Sequence, residues 1–220
     1  MRAVHRRLER SQGTFTPKPR GSALEGLVGT VLSQNTSDVN SGRAFASLKS
    51  RFRSWAEALE APADELADAI RSGGIAEVKS RRIQAILAEV ERREGRLDLS
   101  RMDELPDEEV DEYLSTLPGV GPKTVACVLL FSMGRHAFPI DTHVHRVTTR
   151  LGWIPPRTSA QGAHRILSPR VPPEIRYGLH IMLVRHGRAV CKPKMPLCSE
   201  CVLFDLCQQG PRLVGAGAAR

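Results

Sequence analysis

The chain has 220 residues, 32 Lys and Arg against 24 Asp and Glu, and a formal net charge of +8. That length can bury a proper core in one domain or two small lobes, and the cationic excess favours an anionic partner, nucleic acid first. No apolar run approaches the ~20 residues of a membrane span, and the opening MRAVHRRLER has no apolar core behind its charges, so neither a membrane anchor nor a secretory signal is expected.

Residues 1–20 hold six Lys and Arg, at 2, 6, 7, 10, 18 and 20, against Glu9, with Pro17 and Pro19 in the second half. A short basic helix followed by a linker is the reading. Ser22-Ala-Leu-Glu25 is a capping box, after which Leu24, Leu27, Val28 and Val31 share one helical face. The polar loop Ser33-Gln34-Asn35-Thr36-Ser37-Asp38 follows, and Ser37 or Asp38 caps a helix that turns Val39, Phe45 and Leu48 inward. Ser54-Trp-Ala-Glu57 repeats the capping signal, and Pro62 opens a helix through Leu66 and Ile70. Gly73-Gly74 breaks that pattern. Ile75, directly after the glycines, is either a core residue or an apolar wedge between bases. The next helix buries Ile83, Ile86, Leu87 and Val90, leaves Lys79, Arg81, Arg82, Arg92 and Arg93 on a mostly solvated face, and stops at Gly95. Leu105-Pro106-Asp107 starts another.

Leu117 to Thr124 reads LPGVGPKT, a tight glycine turn running into a helix. Gly119 and Gly121 can take backbone angles barred to other residues, and they leave the chain bare for close approach of a ligand. Pro122 suits the first helical position, and Thr124 to Phe131 is apolar almost all round, with Cys127 a plain buried residue. The outward first-turn N–H groups make a ready phosphate site. Lys123 stands in that turn, where the dipole and partial desolvation push an amine toward its neutral, nucleophilic form. Asp141 follows eighteen residues later (141 − 123), opening a helix in PIDTHVHR. Taken singly, Lys123 could merely touch a phosphate and Asp141 merely cap a helix. No strand precedes the glycines and no GK[ST] run is present, which removes dinucleotide-binding and P-loop readings.

Beyond Pro155-Pro156, a helix is predicted over Ala160–Leu167, and Pro172-Pro173 opens one that buries Ile175, Leu179, Met182 and Leu183. Cys191, Cys198, Cys201 and Cys207 then read C-x6-C-x2-C-x5-C. Four thiols at such spacing point to one four-thiolate site, for zinc or an iron–sulfur cluster. Only Cys198 and Cys201 form a close pair, where structural zinc often uses two. Disulfides are not expected without an export signal. No stretch shows sustained period-two alternation, so the fold class is all-α.

LPGVGPKT followed by PIDTHVHRV, with this cysteine spacing, resembles the endonuclease III branch of the helix–hairpin–helix DNA glycosylases, from about Ser22 through Cys207. The resemblance implies a two-lobed fold. Residues 22–134 would form a six-helix barrel carrying the helix–hairpin–helix, and 1–21 with 135–207 a second helical domain ending in the cluster loop, 191–207; 208–220 would be a tail. Lys123 matches the family's Schiff-base lysine and Asp141 its acidic partner across the cleft. Gly119, Val120 and Gly121 would grip phosphate. Asn35, where the family pattern has Gln, or its neighbour Gln34 would fill the gap left by a flipped base, with Ile75 as the wedge and His143 as a further DNA contact. The four cysteines would hold a [4Fe–4S] cluster, with zinc the alternative, pinning a loop so that Lys192 and Lys194 face the DNA backbone. The implied activity is excision of oxidised or damaged pyrimidines from duplex DNA, with AP lyase action through a lysine Schiff base. The implied partner is double-stranded DNA carrying damaged bases or abasic sites, and the implied setting a monomer in the cytoplasm at the nucleoid. Mismatch glycosylases of the same family typically lack the lysine; a monofunctional mismatch enzyme and a non-catalytic DNA clamp are the alternatives.

Overall fold

The structure is a computed structural model and describes residues 1–18 and 21–212; Pro19 and Arg20 of the expected linker, and the tail from 213, lie outside the described residues. Among the described residues there is no β-strand, in keeping with the all-α expectation. The helices are α1 (Arg2–Gln12), α2 (Ala23–Ser33), α3 (Asp38–Arg51), α4 (Trp55–Glu60), α5 (Ala63–Ala69), α6 (Ala76–Glu94), α7 (Asp107–Ser115), α8 (Pro122–Cys127), α9 (Thr142–Arg150), α10 (Ala160–Leu167) and α11 (Arg176–Ala189). Among the described residues no helix is long and apolar enough to cross a membrane. The chain divides into two compact units, Pro19–Arg135 and the pair Met1–Lys18 with His136–Arg220.

In the middle unit the capping box forms as written: Ser22 Oγ accepts from Glu25 N at 3.2 Å, and Glu25 Oε2 accepts from Ser22 N at 3.4 Å. Ser37 is the cap of α3. Val39, expected inside, is 63% exposed, because it lies five positions before the buried Ala44, about 140° round the helix. Seven α-helices fall in this unit where the resemblance implies six, since α4 and α5 are separate short helices that part at Ala61-Pro62. Ser54 caps α4 through Glu57 N, while the Glu57 carboxylate accepts from Arg53 N at 2.7 Å rather than from the cap residue. The apolar face of α6 is buried as expected, but Lys79 is buried with it, at 1% exposure. After Cys127 the hairpin helix widens into a π turn over Val128–Ser132. Gly26 explains how α2 packs here: a Cβ on it would overlap the Ser132 hydroxyl and sit 2.7 Å from the Ser132 Cβ.

The unit built from the two chain ends has its own core, which gathers Leu8 of α1 with Phe138, Val144, Leu167, Leu179 and Leu183 in one buried cluster. Gln12 Nε2 donates to Met182 O at 3.2 Å, fixing α1 to α11.

Candidate functional site

The glycine turn closes on itself through Val120 N, which donates to Leu117 O at 3.1 Å. Val120 is therefore a strut of the turn, with a buried side chain and a spent N–H. Gly119 has φ +70°, as the turn requires, but Gly121 has φ −108° and ψ 177°, an extended conformation open to any residue. Barred angles are thus used at Gly119 alone; a Cβ on Gly121 would meet only open space. Thr124 N and Val125 N both turn back to Gly121 O, at 2.8 and 3.1 Å. The N–H groups of Gly119, Gly121 and Lys123 bond to no described residue, leaving a small nest of donors beside the half-buried Lys123.

Two side chains brace this turn: Arg82, grouped in the sequence with a solvated face, and Gln34, expected there only as a filler of the base stack. Arg82 lies against Gly119, so that a Cβ there would come 2.7 Å from its Cδ and Cζ. Its Nη1 donates to Gln34 Oε1 at 2.6 Å, and Gln34 Nε2 reaches Thr124 Oγ1 at 3.3 Å. Gln34 thus has both ends of its amide occupied. Asn35 beside it is exposed, in a left-handed conformation at φ 53°. Ile75 is 55% exposed with φ 43°, which removes the core reading of that residue. A β-branched side chain held there is strained by about 1–2 kcal/mol.

Asp141 caps α9, its Oδ1 accepting from Val144 N at 2.7 Å; Oδ2 bonds to no described residue. The segment leading to it is tied down, Pro139 O accepting from His180 Nδ1 at 2.9 Å. Arg146 Nη2 lies 3.1 Å from His143 Nδ1, and since a guanidinium only donates, that nitrogen is the acceptor and the ring carries its proton on Nε2. His143 therefore presents a neutral N–H donor. His145 instead turns its Nε2 to Thr158 O at 2.8 Å. Lys123 belongs to the middle unit and Asp141 to the other.

All four expected thiols, Cys191, Cys198, Cys201 and Cys207, line one cavity of about 380 Å³ including its open mouth. Among the described residues no three His, Cys, Asp or Glu groups converge as on one metal ion. Arg150 Nη1 donates to Cys191 Sγ at 3.2 Å and to Lys192 O at 2.7 Å, and Arg146 Nε donates to Cys191 O at 2.9 Å. Burial pushes the Cys198 and Cys201 thiols up and the His186 ring down to about 4. Lys192 and Lys194 are exposed.

Residues 28–173 match the family model of the HhH-GPD superfamily of base excision DNA repair proteins. An Arabidopsis thaliana protein is 41% identical over 205 residues, covering 88% of this chain and 70% of that protein. Endonuclease III of Thermotoga maritima is 37% identical over 183 residues, 83% of this chain and 81% of the relative. Among solved structures, a non-covalent endonuclease III–DNA complex superposes with a TM-score of 0.81 at 27% identity, covering 97% of this chain and 96% of that one.

Proposed function

Because this chain belongs to the HhH-GPD superfamily of base excision DNA repair proteins, we propose that it is a DNA glycosylase with AP lyase activity, of the endonuclease III type, acting on oxidised pyrimidines in duplex DNA. The observation that carries the reading is Lys123, set in the first turn of the hairpin helix among unbonded N–H groups. A helix start stabilises an anion, not a cation, so an amine there serves a purpose other than stability.

The sugar carbon of a stacked nucleotide is shielded, so the damaged nucleotide must leave the helix. The N–H groups of Gly119 and Gly121 would hold the backbone phosphate while Asn35 and Ile75, both exposed, enter the vacated stack. Gln34 is engaged at both amide ends, which favours Asn35 as the filling amide. Nζ of Lys123 then bonds to C1′ as the C1′–N bond to the base breaks, and the base departs with a proton. Opening of the sugar ring gives an imine, loss of a C2′ proton expels the 3′ phosphate, and water later releases the lysine. Asp141 offers a free oxygen to move these protons and to balance the cationic sugar as it develops. His143 would donate its Nε2–H to a phosphate.

Cys191, Cys198, Cys201 and Cys207, which line one cavity, would hold a [4Fe–4S] cluster; only Cys198 and Cys201 form the close pair of which structural zinc often uses two. Held by these four thiolates, the cluster would pin the loop so that Lys192 and Lys194 could face the DNA backbone. The protein is read as a monomer that works on intracellular DNA.

Borohydride trapping on a duplex containing an oxidised pyrimidine, with Lys123→Gln alongside, tests the reading. A covalent adduct that the variant lacks is the expected result. Base release without any adduct would leave a monofunctional glycosylase, and binding without base release a bare clamp.

A further inference from the structure

Among the described residues, three other than glycine have positive φ: Asn35, Ile75 and Arg157. The first two share a feature. Each lies two to three positions after a backbone carbonyl held by the same buried ammonium group. Lys79 Nζ donates to Leu32 O at 2.7 Å and to Gly73 O at 2.8 Å, and the residue is 1% exposed. Leu32 lies in the last turn of α2, and Gly73 ends the short 3₁₀ turn Arg71–Gly73. Helix ends of this kind leave carbonyls without partners and carry partial negative charge, so one cation here caps two of them at once.

A buried ammonium is unfavourable unless it is fully hydrogen-bonded, and a leucine or methionine would fill the same space without that penalty. The position keeps a charge where the apolar face of α6 asks for none. The two carbonyls belong to segments far apart in sequence, 47 and 6 residues from Lys79, and the chain beyond each is where the exposed Asn35 and Ile75 sit. Lys79 also anchors the second segment through its main chain, its N–H donating to Ile75 O at 3.1 Å. Strained left-handed residues persist only where their surroundings over-determine them.

We infer that Lys79 is a positioning residue that locks the Gln34–Asn35 loop and the Gly74–Ile75 turn into one preformed probe of the base stack. It touches neither DNA nor the reacting atoms. It holds the two inserted side chains at a fixed mutual spacing before DNA arrives, so that extrusion of a base is not charged with ordering two loops. Its effect on excision rests on the glycosylase reading; the clamp itself does not.

Amide hydrogen exchange of Lys79→Met tests the clamp without recourse to catalysis. The N–H groups of Gln34, Gly73 and Gly74, all hydrogen-bonded in the native state, should exchange together about tenfold faster or more, while those of Leu129 and Leu130 hold. Unchanged protection in either segment overturns it. Single-turnover excision of an oxidised pyrimidine from a duplex tests the consequence: Lys79→Met should slow it by about tenfold, but by under about threefold in an Asn35→Ala, Ile75→Ala background, where nothing remains to be positioned. Equal losses in both backgrounds would mean a general structural role and overturn the positioning. Lys79→Gln, shorter and neutral but still a donor, carries the same comparisons should the methionine variant not fold. A wild-type protein that releases no base from any duplex would sink the glycosylase reading, and the exchange result would still judge the clamp.

Discussion

Arg82 occupies the space that a side chain on Gly119 would need: a Cβ there would fall 2.7 Å from the Arg82 Cδ and Cζ, at a residue whose φ is +70°. Gly119→Ala must therefore strain the turn and displace Arg82 from Gln34. A stability loss of about 1–3 kcal/mol is expected, with duplex affinity down roughly tenfold. Gly121→Ala is the control, since φ there is −108° and the space is open. It should fold within about 0.5 kcal/mol of wild type. Thermal melts and titrations of a labelled duplex measure both, and equal destabilisation by the two substitutions would contradict the geometry.

Gly26 and Ser132 give a second prediction. Gly26→Ala drives a Cβ into the Ser132 hydroxyl across the contact between α2 and the π turn. Overpacking of this sort destabilises by about 1–3 kcal/mol, or roughly 3–10 °C in melting temperature for a chain of this size. Adding Ser132→Ala should recover part of the loss. Full stability of Gly26→Ala alone would mean that the two elements can separate freely.

Arg150 bridges the end of α9 to the cysteine loop through Cys191 Sγ, Lys192 O and Pro193 O, the last at 2.8 Å. If the four thiols hold the proposed iron–sulfur cluster, Arg150→Leu should leave them in place yet speed the release of iron to a chelator several-fold, followed by visible absorption. An unchanged release rate would show that the loop is held by the thiols alone.

His164 sets a pH dependence. Burial pushes this ring from 6.5 down to about 4. Between those values the unfolded chain binds a proton that the folded ring refuses, so stability is complete above pH 6.5 and declines as pH falls toward 4. The contribution is at most about 3 kcal/mol, and less for the part of the ring in contact with water. His164→Gln should reduce the slope of melting temperature across that window by about half, His186, pushed down to about 4 as well, keeping the rest. A variant with the wild-type acid slope would place the dependence elsewhere.

The helices were legible because their signals are local. Ser22, Ser37, Ser54 and Pro122 each announce a start that the structure places within a residue. The exposed wedge was legible only as one of two choices, because Gly-Gly turns serve cores and binding loops alike, and the exposure of Ile75 decides it. The bracing residues were not legible, since each acts on a carbonyl or amide distant in sequence. Lys79 did leave a trace. Positions 79, 83, 86 and 90 form one helical stripe, so a lysine in that register should have been read as buried rather than grouped with the solvated Arg81. Gly121 shows the reverse: the native turn uses none of the backbone freedom that a glycine offers there.

The unit assembled from the two chain ends has a kinetic consequence. During synthesis α1 emerges before its partner helix, with Val4 and Leu8 uncovered, for Gln12 bonds to Met182, 170 residues downstream. The middle unit, whose sequence is continuous from 19 to 135, has everything it needs much earlier and should fold while α1 waits. Completion of the end unit then depends on closing a loop of this length, so the slow phase of refolding is expected in the docking of α1 on α11 rather than in the hairpin.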